Sequence, residues 1–103
     1  MSARAVLWTD AEAAAATGGR ASARFAALGV SIDSRTLAKD DLFCAIAGGS
    51  QDGHQYVAAA FKAGAAAALV EKGRVAKPAG PLLEVADTLA ALLALGRAAR
   101  ERS

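Results

Sequence analysis

Apolar positions along the chain form short runs of strand length, separated by polar turn residues. Such runs occupy residues 30–33, 42–47, 66–71 and 82–85. The run at 42–47 is continuously apolar, which is typical of a strand buried on both faces of a sheet. The run at 30–33 alternates between apolar and polar residues and indicates a strand that ends near residue 34. The pattern therefore predicts about four strands.

Helical patterns lie between these runs. Thr9 and Glu12 have the spacing of a capping box, and Gly18 stands where a C-terminal cap is expected. A second helix is indicated after residue 53 by the helical spacing of Val57, Ala60, Phe61 and Gly64. Both segments are therefore predicted to be helices.

The last helix is predicted to begin at Asp87, whose side chain can cap it. Leu89, Leu92 and Leu93 form its expected apolar stripe, and Leu95 extends or flanks that stripe. Residues 20–29 fit a short strand and a turn. The order helix, strand, strand, helix, strand, strand, helix predicts a small α/β layered domain with a mostly parallel or mixed sheet flanked by helices.

Composition supports one packed domain. The chain has 103 residues, 54% of them hydrophobic and 21% charged, which is ample for a core. Much of the apolar content is alanine, which buries little area per residue. Stability is therefore expected to depend on larger side chains, namely Leu28, Leu42, Phe43, Ile46, Phe61, Leu69, Val70, Leu82, Leu83, Leu89, Leu92 and Leu93.

Charge and cysteine content exclude several functions. The net charge is +2, and the only basic cluster, at residues 97–102, is too small for a nucleic-acid footprint. No apolar run approaches the roughly 18 residues that a membrane span needs, and no signal peptide is visible. The single cysteine, Cys44, lies in an apolar run and is predicted to be a buried small hydrophobe. We expect a cytoplasmic protein that neither binds nucleic acid nor inserts into membranes.

The loop at residues 48–53 spaces its glycines superficially like a phosphate-binding loop. A Walker loop needs Lys and then Ser or Thr after its last glycine, whereas Gly53 is followed by His54 and Gln55. Nucleoside triphosphate hydrolysis by this loop is therefore excluded. Ser50 and Gln51 still offer donors and acceptors to a ligand. The pattern is compatible with either a plain surface turn or a ligand-binding loop.

A strand is predicted to end at Asp33, Ser34 and Arg35. Ligands of open α/β sheets bind at the carboxyl ends of strands. Arg35 could grip a phosphate or carboxylate through its planar fork, or pair with Asp33 to fix the turn.

His54 is the only histidine, and with one cysteine it cannot supply the three or four ligands of a zinc site. Ser50 and Asp52 lie near it in sequence, but successive loop residues seldom converge into a triad. His54 is predicted to cap or position the following helix.

Three segments, taken together, resemble the N-terminal domain of the Mur ligases, the ATP-dependent enzymes that build the peptidoglycan stem peptide. They are residues 30–36 (VSIDSRT), residues 41–46 (DLFCAI) continuing to the DGH at 52–54, and residues 63–71 (AGAAAALVE). Residues 7–9 and 87–92 are similar to MurF-type ligases, which add D-alanyl-D-alanine. MurE-type ligases, which add the third residue of the stem, are the close competitor.

The resemblance implies that this domain holds the UDP end of a UDP-N-acetylmuramoyl-peptide. It places uridine contacts at Ile32 and Ser34, and a loop facing the diphosphate and uridine at Gly49, Ser50 and Gln51. This loop lacks the charged residues often found there. Asp33 and Arg35 match the motif too, and either touch the ligand or organise the turn.

The resemblance also implies that ATP and Mg²⁺ bind in a central domain, and that a C-terminal domain helps to bind the incoming dipeptide. Neither domain is matched in residues 1–103, so we expect this segment to have no metal, no cofactor and no ligase activity alone. Its partners would be the substrate and the other ligase domains in cis. Two rivals remain: a non-catalytic interaction module of the same fold, and a small hydrolase using Ser50 or Cys44.

Overall fold

A computed structural model of the chain describes residues 7–48, 51–75 and 79–102. The strands found in these segments are β1 (Trp8–Thr9), β2 (Arg20–Ala21), β3 (Ala26–Ala27), β4 (Gly29–Ser31), β5 (Asp41–Cys44), β6 (Ala47–Gly48), β7 (Gln51–Asp52), β8 (Ala67–Glu71) and β9 (Leu82–Val85). The helices are α1 (Asp10–Thr17), α2 (Val57–Lys62) and α3 (Thr88–Arg102), and a 3₁₀ turn spans Gly53–Tyr56.

The main sheet has five strands in the order β2-β9-β8-β5-β4. β4, β5, β8 and β9 run parallel to their neighbours, and β2 joins the β9 edge antiparallel. The predicted α/β class and mostly parallel sheet are therefore confirmed. The fifth strand, β2, lies in the segment 20–29, where a short strand and a turn were expected; its position in that segment was not predicted because a two-residue strand is too short to show periodicity.

Helices cover both faces of this sheet. Along β5 and β8 successive side chains point to opposite faces, which explains why both strands are apolar throughout. On the face covered by α1 and α3, the core contains Trp8, Ala13, Phe25, Ala27, Leu42, Cys44, Ala67, Leu69, Leu83, Val85, Ala91 and Leu95. On the α2 face, it contains Phe43, Ala45, Val57, Ala60, Ala68, Val70 and Leu82. The domain is a three-layer sandwich.

The first helix begins and ends as its sequence predicts. The backbone N–H of Glu12 donates to the Thr9 hydroxyl over 3.2 Å, and the Glu12 carboxylate accepts from the Thr9 backbone N–H over 3.1 Å. Gly18 ends the helix with a φ of 72°, and its N–H donates to the carbonyl of Ala14 over 2.8 Å. Glycine suits this position because other residues seldom adopt a left-handed backbone.

The last helix buries a different face from the predicted one. Leu89 and Leu93 are 51% and 61% exposed, whereas Leu95 is 2% exposed. The expected stripe is therefore wrong for Leu89 and Leu93. Thr88, Ala91 and Leu95 are the buried residues, and their spacing of three and four gives the helix its core-facing side.

Two strand boundaries and the segment 20–29 also differ from the expectation. The run at 42–47 gives a strand over Asp41–Cys44 only, because Ala47–Gly48 turns away to pair with Gln51–Asp52. The run at 30–33 gives Gly29–Ser31, so Asp33 lies in the turn that follows. Residues 20–29 hold β2, β3 and the start of β4, and β3 pairs antiparallel with β1.

None of the helices found in the described residues is both long and apolar enough to cross a membrane. Among the same residues, no three or more His, Cys, Asp or Glu side chains are grouped so that they could hold a metal ion.

Candidate functional site

A cleft of about 260 Å³ lies at the edge of the sheet where β4 and β5 end. Because β4, β5, β8 and β9 are parallel, their carboxyl ends share this edge, which is where ligands of open α/β sheets bind. The described residues that line the cleft are Ile32, Asp33, Arg35, Ile46, Gly53 and Tyr56. Ile46 packs against the core under α1 and α3, and Tyr56 against the core under α2. The cleft therefore opens where the two cores meet.

One side of the cleft is a turn held by Asp33 and Arg35. The Asp33 carboxylate accepts the Arg35 backbone N–H over 2.8 Å, Nε over 3.1 Å and Nη2 over 3.0 Å. The bonds from the Arg35 side chain, and then from its backbone, hold the pKa of Asp33 below its ordinary value. The same side-chain bonds raise the pKa of Arg35. The ion pair that the sequence allowed is present, and it fixes the turn.

This ion pair leaves donors available to a ligand. Asp33 engages two of the five side-chain N–H donors that a guanidinium carries, and the Arg35 side chain is 87% exposed. The remaining donors can therefore meet an anion in the cleft. Ile32 adds an apolar surface at the rim, since it is 62% exposed.

The other predicted contact residues fall into two groups. Ser34 is half-buried in the turn between Asp33 and Arg35, and it is not among the described lining residues of the cleft. Gly49 and Ser50 lie outside the described residues. Gln51 belongs to β7, where it pairs with Gly48 of β6, and it lies two residues before the lining residue Gly53.

The far wall of the cleft is the 3₁₀ turn. Gly53 donates its backbone N–H to the carbonyl of Ile46 over 2.9 Å. A Cβ atom built on Gly53 would lie 2.7 Å from the Ile46 nitrogen and 3.0 Å from Cα of Ala45. Only glycine therefore lets the turn pack this closely against the chain that leaves β5.

Behind this wall lies a set of polar contacts that we name the His54 clamp, made by Asp52, His54, Arg74 and the backbone N–H of Glu71. The His54 ring accepts the Glu71 N–H at Nε2 over 2.9 Å, and its Nδ1 lies 2.6 Å from Oδ1 of Asp52. Arg74 pairs with Oδ2 of Asp52. The hydrogen bonds from the His54 backbone, the His54 ring and Arg74, in that order, lower the pKa of Asp52.

The clamp bears on the role that the sequence predicted for His54. Asp52 accepts the His54 backbone N–H over 3.0 Å and so caps the 3₁₀ turn. The His54 side chain is 4% exposed and ties that turn to the end of β8. His54 therefore positions the segment that leads into α2, and the described geometry gives it no nucleophile to activate.

Sequence reasoning did not select Ile46, Gly53 or Tyr56 as cleft residues. Ile46 was assigned to a strand interior, and Tyr56 carries no motif of its own. The only local signal was Gly53 in the DGH triplet, since a glycine between polar residues often marks a close backbone approach. Their convergence depends on β4 and β5 being neighbours in the sheet, which no local pattern shows.

Catalysis by the Cys44 thiol and ATP binding by a Walker loop are both disfavoured. Burial raises the pKa of the Cys44 thiol to about 12, so this side chain is a core residue and a poor nucleophile. In the sequence, none of the lysines is followed by Ser or Thr, so the chain has no Walker loop to hold ATP phosphates. The cleft instead combines apolar side chains, a phenol ring and a guanidinium, which suits a flat, partly charged ligand.

The chain belongs to the Mur ligase family. The family described as "Mur ligase family, catalytic domain" matches residues 27–100. Two crystal structures of MurF from Acinetobacter baumannii are 31% identical to the chain and cover 92% of it, with TM-scores of 0.79 and 0.81. The structure of UDP-N-acetylmuramoylalanyl-D-glutamyl-2,6-diaminopimelate--D-alanyl-D-alanyl ligase from the same organism also covers 92%, at 31% identity and a TM-score of 0.81.

A curated relative represents the neighbouring branch of the family. The UDP-N-acetylmuramoyl-L-alanyl-D-glutamate--2,6-diaminopimelate ligase of Rhizobium meliloti (strain 1021) is 37% identical over 59 residues, which are 57% of this chain. The resemblance to the Mur ligases seen in the sequence is confirmed. The chain spans 21–22% of the length of the three solved structures and 12% of the length of the curated relative.

Proposed function

We propose that this chain is the substrate-recognition domain of a Mur ligase, and that its cleft binds the UDP end of a UDP-N-acetylmuramoyl-peptide. The observation that carries the proposal is the cleft of about 260 Å³ at the carboxyl edge of the sheet. It lies within a fold that matches MurF over 92% of the chain. A remote handle of this kind supplies binding energy that orients the reacting end of the substrate elsewhere.

Within the cleft we assign the two halves of the nucleotide to different side chains. Ile32, Ile46 and the ring of Tyr56 offer apolar surface to the uracil and ribose. The remaining donors of Arg35 are placed for the diphosphate, because a guanidinium binds phosphate oxygens through parallel hydrogen bonds. Ser34 and residues 49–51 complete the proposed contacts, as the family resemblance implies.

The complete ligase would join D-alanyl-D-alanine to a UDP-N-acetylmuramoyl-tripeptide with ATP, as a cytoplasmic enzyme of peptidoglycan synthesis. The cleft does not fit ATP and Mg²⁺, since the chain has no Walker lysine and its described residues no metal-ligand cluster. We propose that these groups bind in other domains of the ligase, and that this segment alone has no ligase activity.

A MurE-type ligase is the second candidate. The 37% identity to a 2,6-diaminopimelate ligase favours it. We prefer the MurF type because the MurF structures cover 92% of the chain, whereas the match to the 2,6-diaminopimelate ligase covers 57%. Both types share the UDP end of the substrate, so the proposed role of the cleft is the same.

An amide chemical-shift titration of the 103-residue chain with uridine, UDP and UDP-N-acetylmuramoyl-tripeptide tests the proposal. We expect shifts centred on residues 32–35, 46 and 49–56. Uridine should move the amides near Ile32 and Tyr56, and UDP should also move Arg35. Flat spectra with all three ligands would overturn ligand binding by this chain alone, and would leave either a domain that binds only within the full ligase or the non-catalytic interaction module.

Two exposed apolar residues make a matched pair of variants. Ile32 and Leu93 are 62% and 61% exposed, but only Ile32 lines the cleft. Ile32→Ala should weaken UDP binding by about three- to tenfold, because roughly one kcal/mol of apolar contact is lost. Leu93→Ala should leave the affinity within about twofold, since an exposed residue away from the cleft has little effect. Equal effects would place the ligand elsewhere.

Arg35 tests the phosphate half of the assignment. Arg35→Gln should weaken UDP binding by about tenfold, since a charge-assisted hydrogen bond is lost, and change uridine binding much less. The exposed Arg97 on α3 supplies the control variant Arg97→Gln. An equal loss of uridine and UDP affinity in Arg35→Gln would mean that Arg35 only holds the turn.

A further inference from the structure

The hydrogen bonds of the His54 clamp define the protonation state of the ring. The Glu71 backbone N–H can only donate, so Nε2 of His54 must be an unprotonated acceptor in this 2.9 Å bond. The ring proton then lies on Nδ1 and is donated to Asp52 over 2.6 Å. The clamp therefore requires a neutral imidazole in the less common Nδ1–H tautomer.

Protonation of this ring would break one arm of the clamp. A second proton on Nε2 would place two N–H groups face to face, and the Glu71 N–H would lose its acceptor. Since the His54 side chain is 4% exposed, water has little access to replace the lost bond, and an unsatisfied buried donor is costly.

The charged groups around the ring act in opposite directions. The Asp52 carboxylate, which accepts from Nδ1, favours a positive ring. Arg74 pairs with the other oxygen of Asp52 and disfavours it. The Glu71 carboxylate lies 3.8 Å from Arg74 and offsets part of that charge. The Glu71 backbone N–H is the one contact that is lost outright when Nε2 is protonated.

The clamp is connected to the cleft through the 3₁₀ turn. Gly53 and Tyr56, which line the cleft, lie on either side of His54 in the same 3₁₀ turn. On its cleft side the turn is held by the bond from Gly53 to Ile46. On its far side it is held to the end of β8 by His54. Loss of the far attachment would remove one support of the wall, which is also held by the Gly53 bond, by the capping bond to Asp52 and by the packing of Tyr56 against the core under α2.

We propose that His54 is a positioning residue whose neutral Nδ1–H tautomer holds the Gly53–Tyr56 wall, and that protonation of His54 loosens this wall and weakens ligand binding in the cleft. The binding part of this inference rests on the proposed UDP site. The tautomer and the movement of the wall do not, and they are measurable in the ligand-free protein.

The first measurement uses ¹⁵N- and ¹³C-labelled wild-type protein without ligand. His54 is the only histidine in the sequence, so the ring signals need no assignment by mutation. At about pH 7.5 we expect the Nδ1–H tautomer, and on acidification to about pH 5 the amides of Gly53, Tyr56 and Glu71 should shift together with the ring as it takes up a second proton. An Nε2–H tautomer, or wall amides that do not follow the ring, would overturn the proposal.

The second measurement is the affinity for UDP-N-acetylglucosamine, whose diphosphate diester keeps a constant charge over this range. We expect the wild-type affinity to fall by about tenfold between about pH 7.5 and about pH 5, as befits the loss of one buried hydrogen bond. His54→Gln keeps a neutral acceptor near the Nε2 position and should flatten this profile. His54→Ala should weaken binding at both pH values.

These outcomes separate the clamp from the proposed ligand. An equally steep pH profile in His54→Gln would overturn the role of His54 in binding. No binding at any pH would contradict the UDP site alone, and the ligand-free ring and amide shifts would still decide whether the clamp operates. If His54→Gln does not fold, the wild-type tautomer and the coupled amide shifts decide the proposal.

Discussion

At the scale of single residues, backbone contact constrains the site more than side-chain chemistry does. Gly53 has no side chain to offer a ligand, yet its N–H bonds to Ile46 and its missing Cβ makes room for the chain leaving β5. Gly96 in α3 is the opposite case, because a Cβ there would meet nothing within 4 Å. The same substitution at the two glycines should therefore have opposite effects.

Gly53→Ala is expected to lower the free energy of unfolding by about 1–3 kcal/mol, because the new methyl group overlaps backbone atoms that have little room to shift. It should also weaken UDP binding, since Ile46 lines the cleft. Gly96→Ala should raise the free energy of unfolding by about 0.5–1 kcal/mol, because alanine is the better helix former. Urea denaturation measures both. A loss of stability in Gly96→Ala, or none in Gly53→Ala, would contradict this account.

At the scale of elements, α3 shows why an apolar residue is not always a core residue. Leucine and alanine occur on most sides of this helix, so its sequence alone allows more than one buried face. Packing against the sheet and α1 selects the face of Thr88, Ala91 and Leu95, where small residues allow close approach. Leu89 and Leu93, although larger, remain exposed.

Leu95→Ala is expected to lower the free energy of unfolding by about 2–4 kcal/mol, because a nearly fully buried leucine leaves a cavity. Leu93→Ala should change it by less than about 0.5 kcal/mol, because Leu93 is exposed. The two variants remove the same atoms from the same helix, so intrinsic helix propensity is matched. Similar losses in the two urea transitions would mean that Leu93 is covered in solution.

The elements also show which parts of the fold could be predicted. The first helix carries its own start and stop signals in Thr9, Glu12 and Gly18, and strands such as β8 carry an apolar run of adequate length. The paired strands β1 and β3 have two residues each and show no periodicity. Their pairing, like that of β2 with β9, depends on contacts between distant parts of the sequence.

The candidate site likewise has one part that the local sequence predicts and one part that it does not. The turn at Asp33–Arg35 could be predicted because a short-range motif follows a strand. The opposite wall could not, because Tyr56 approaches Arg35 only after β4 and β5 have paired and the loop has folded back onto Ile46. His54 was predicted to position the following segment, but its bond to Glu71 crosses 17 residues of sequence and has no local signal.

At the scale of the whole molecule, two cores share one sheet. Leu42 and Cys44 of β5 face α1 and α3, whereas Phe43 faces α2. Neither layer of helices covers the sheet alone, so loss of one layer would expose a full face of β5 and β8. We therefore expect unfolding to be cooperative, as is usual for single domains of this size.

Cys44 provides a direct test of this cooperativity. Its side chain is fully buried in β5, and burial raises its thiol pKa to about 12, so a thiol reagent should reach it only when the domain unfolds. Native labelling near neutral pH should be at least about a thousandfold slower than labelling in urea, in line with ordinary unfolding equilibria. Cys44→Ala combined with Ala23→Cys, which moves the thiol to an exposed position, supplies the fast control. A native rate within about tenfold of that control would mean that β5 opens locally, with less than about 1.4 kcal/mol of protection.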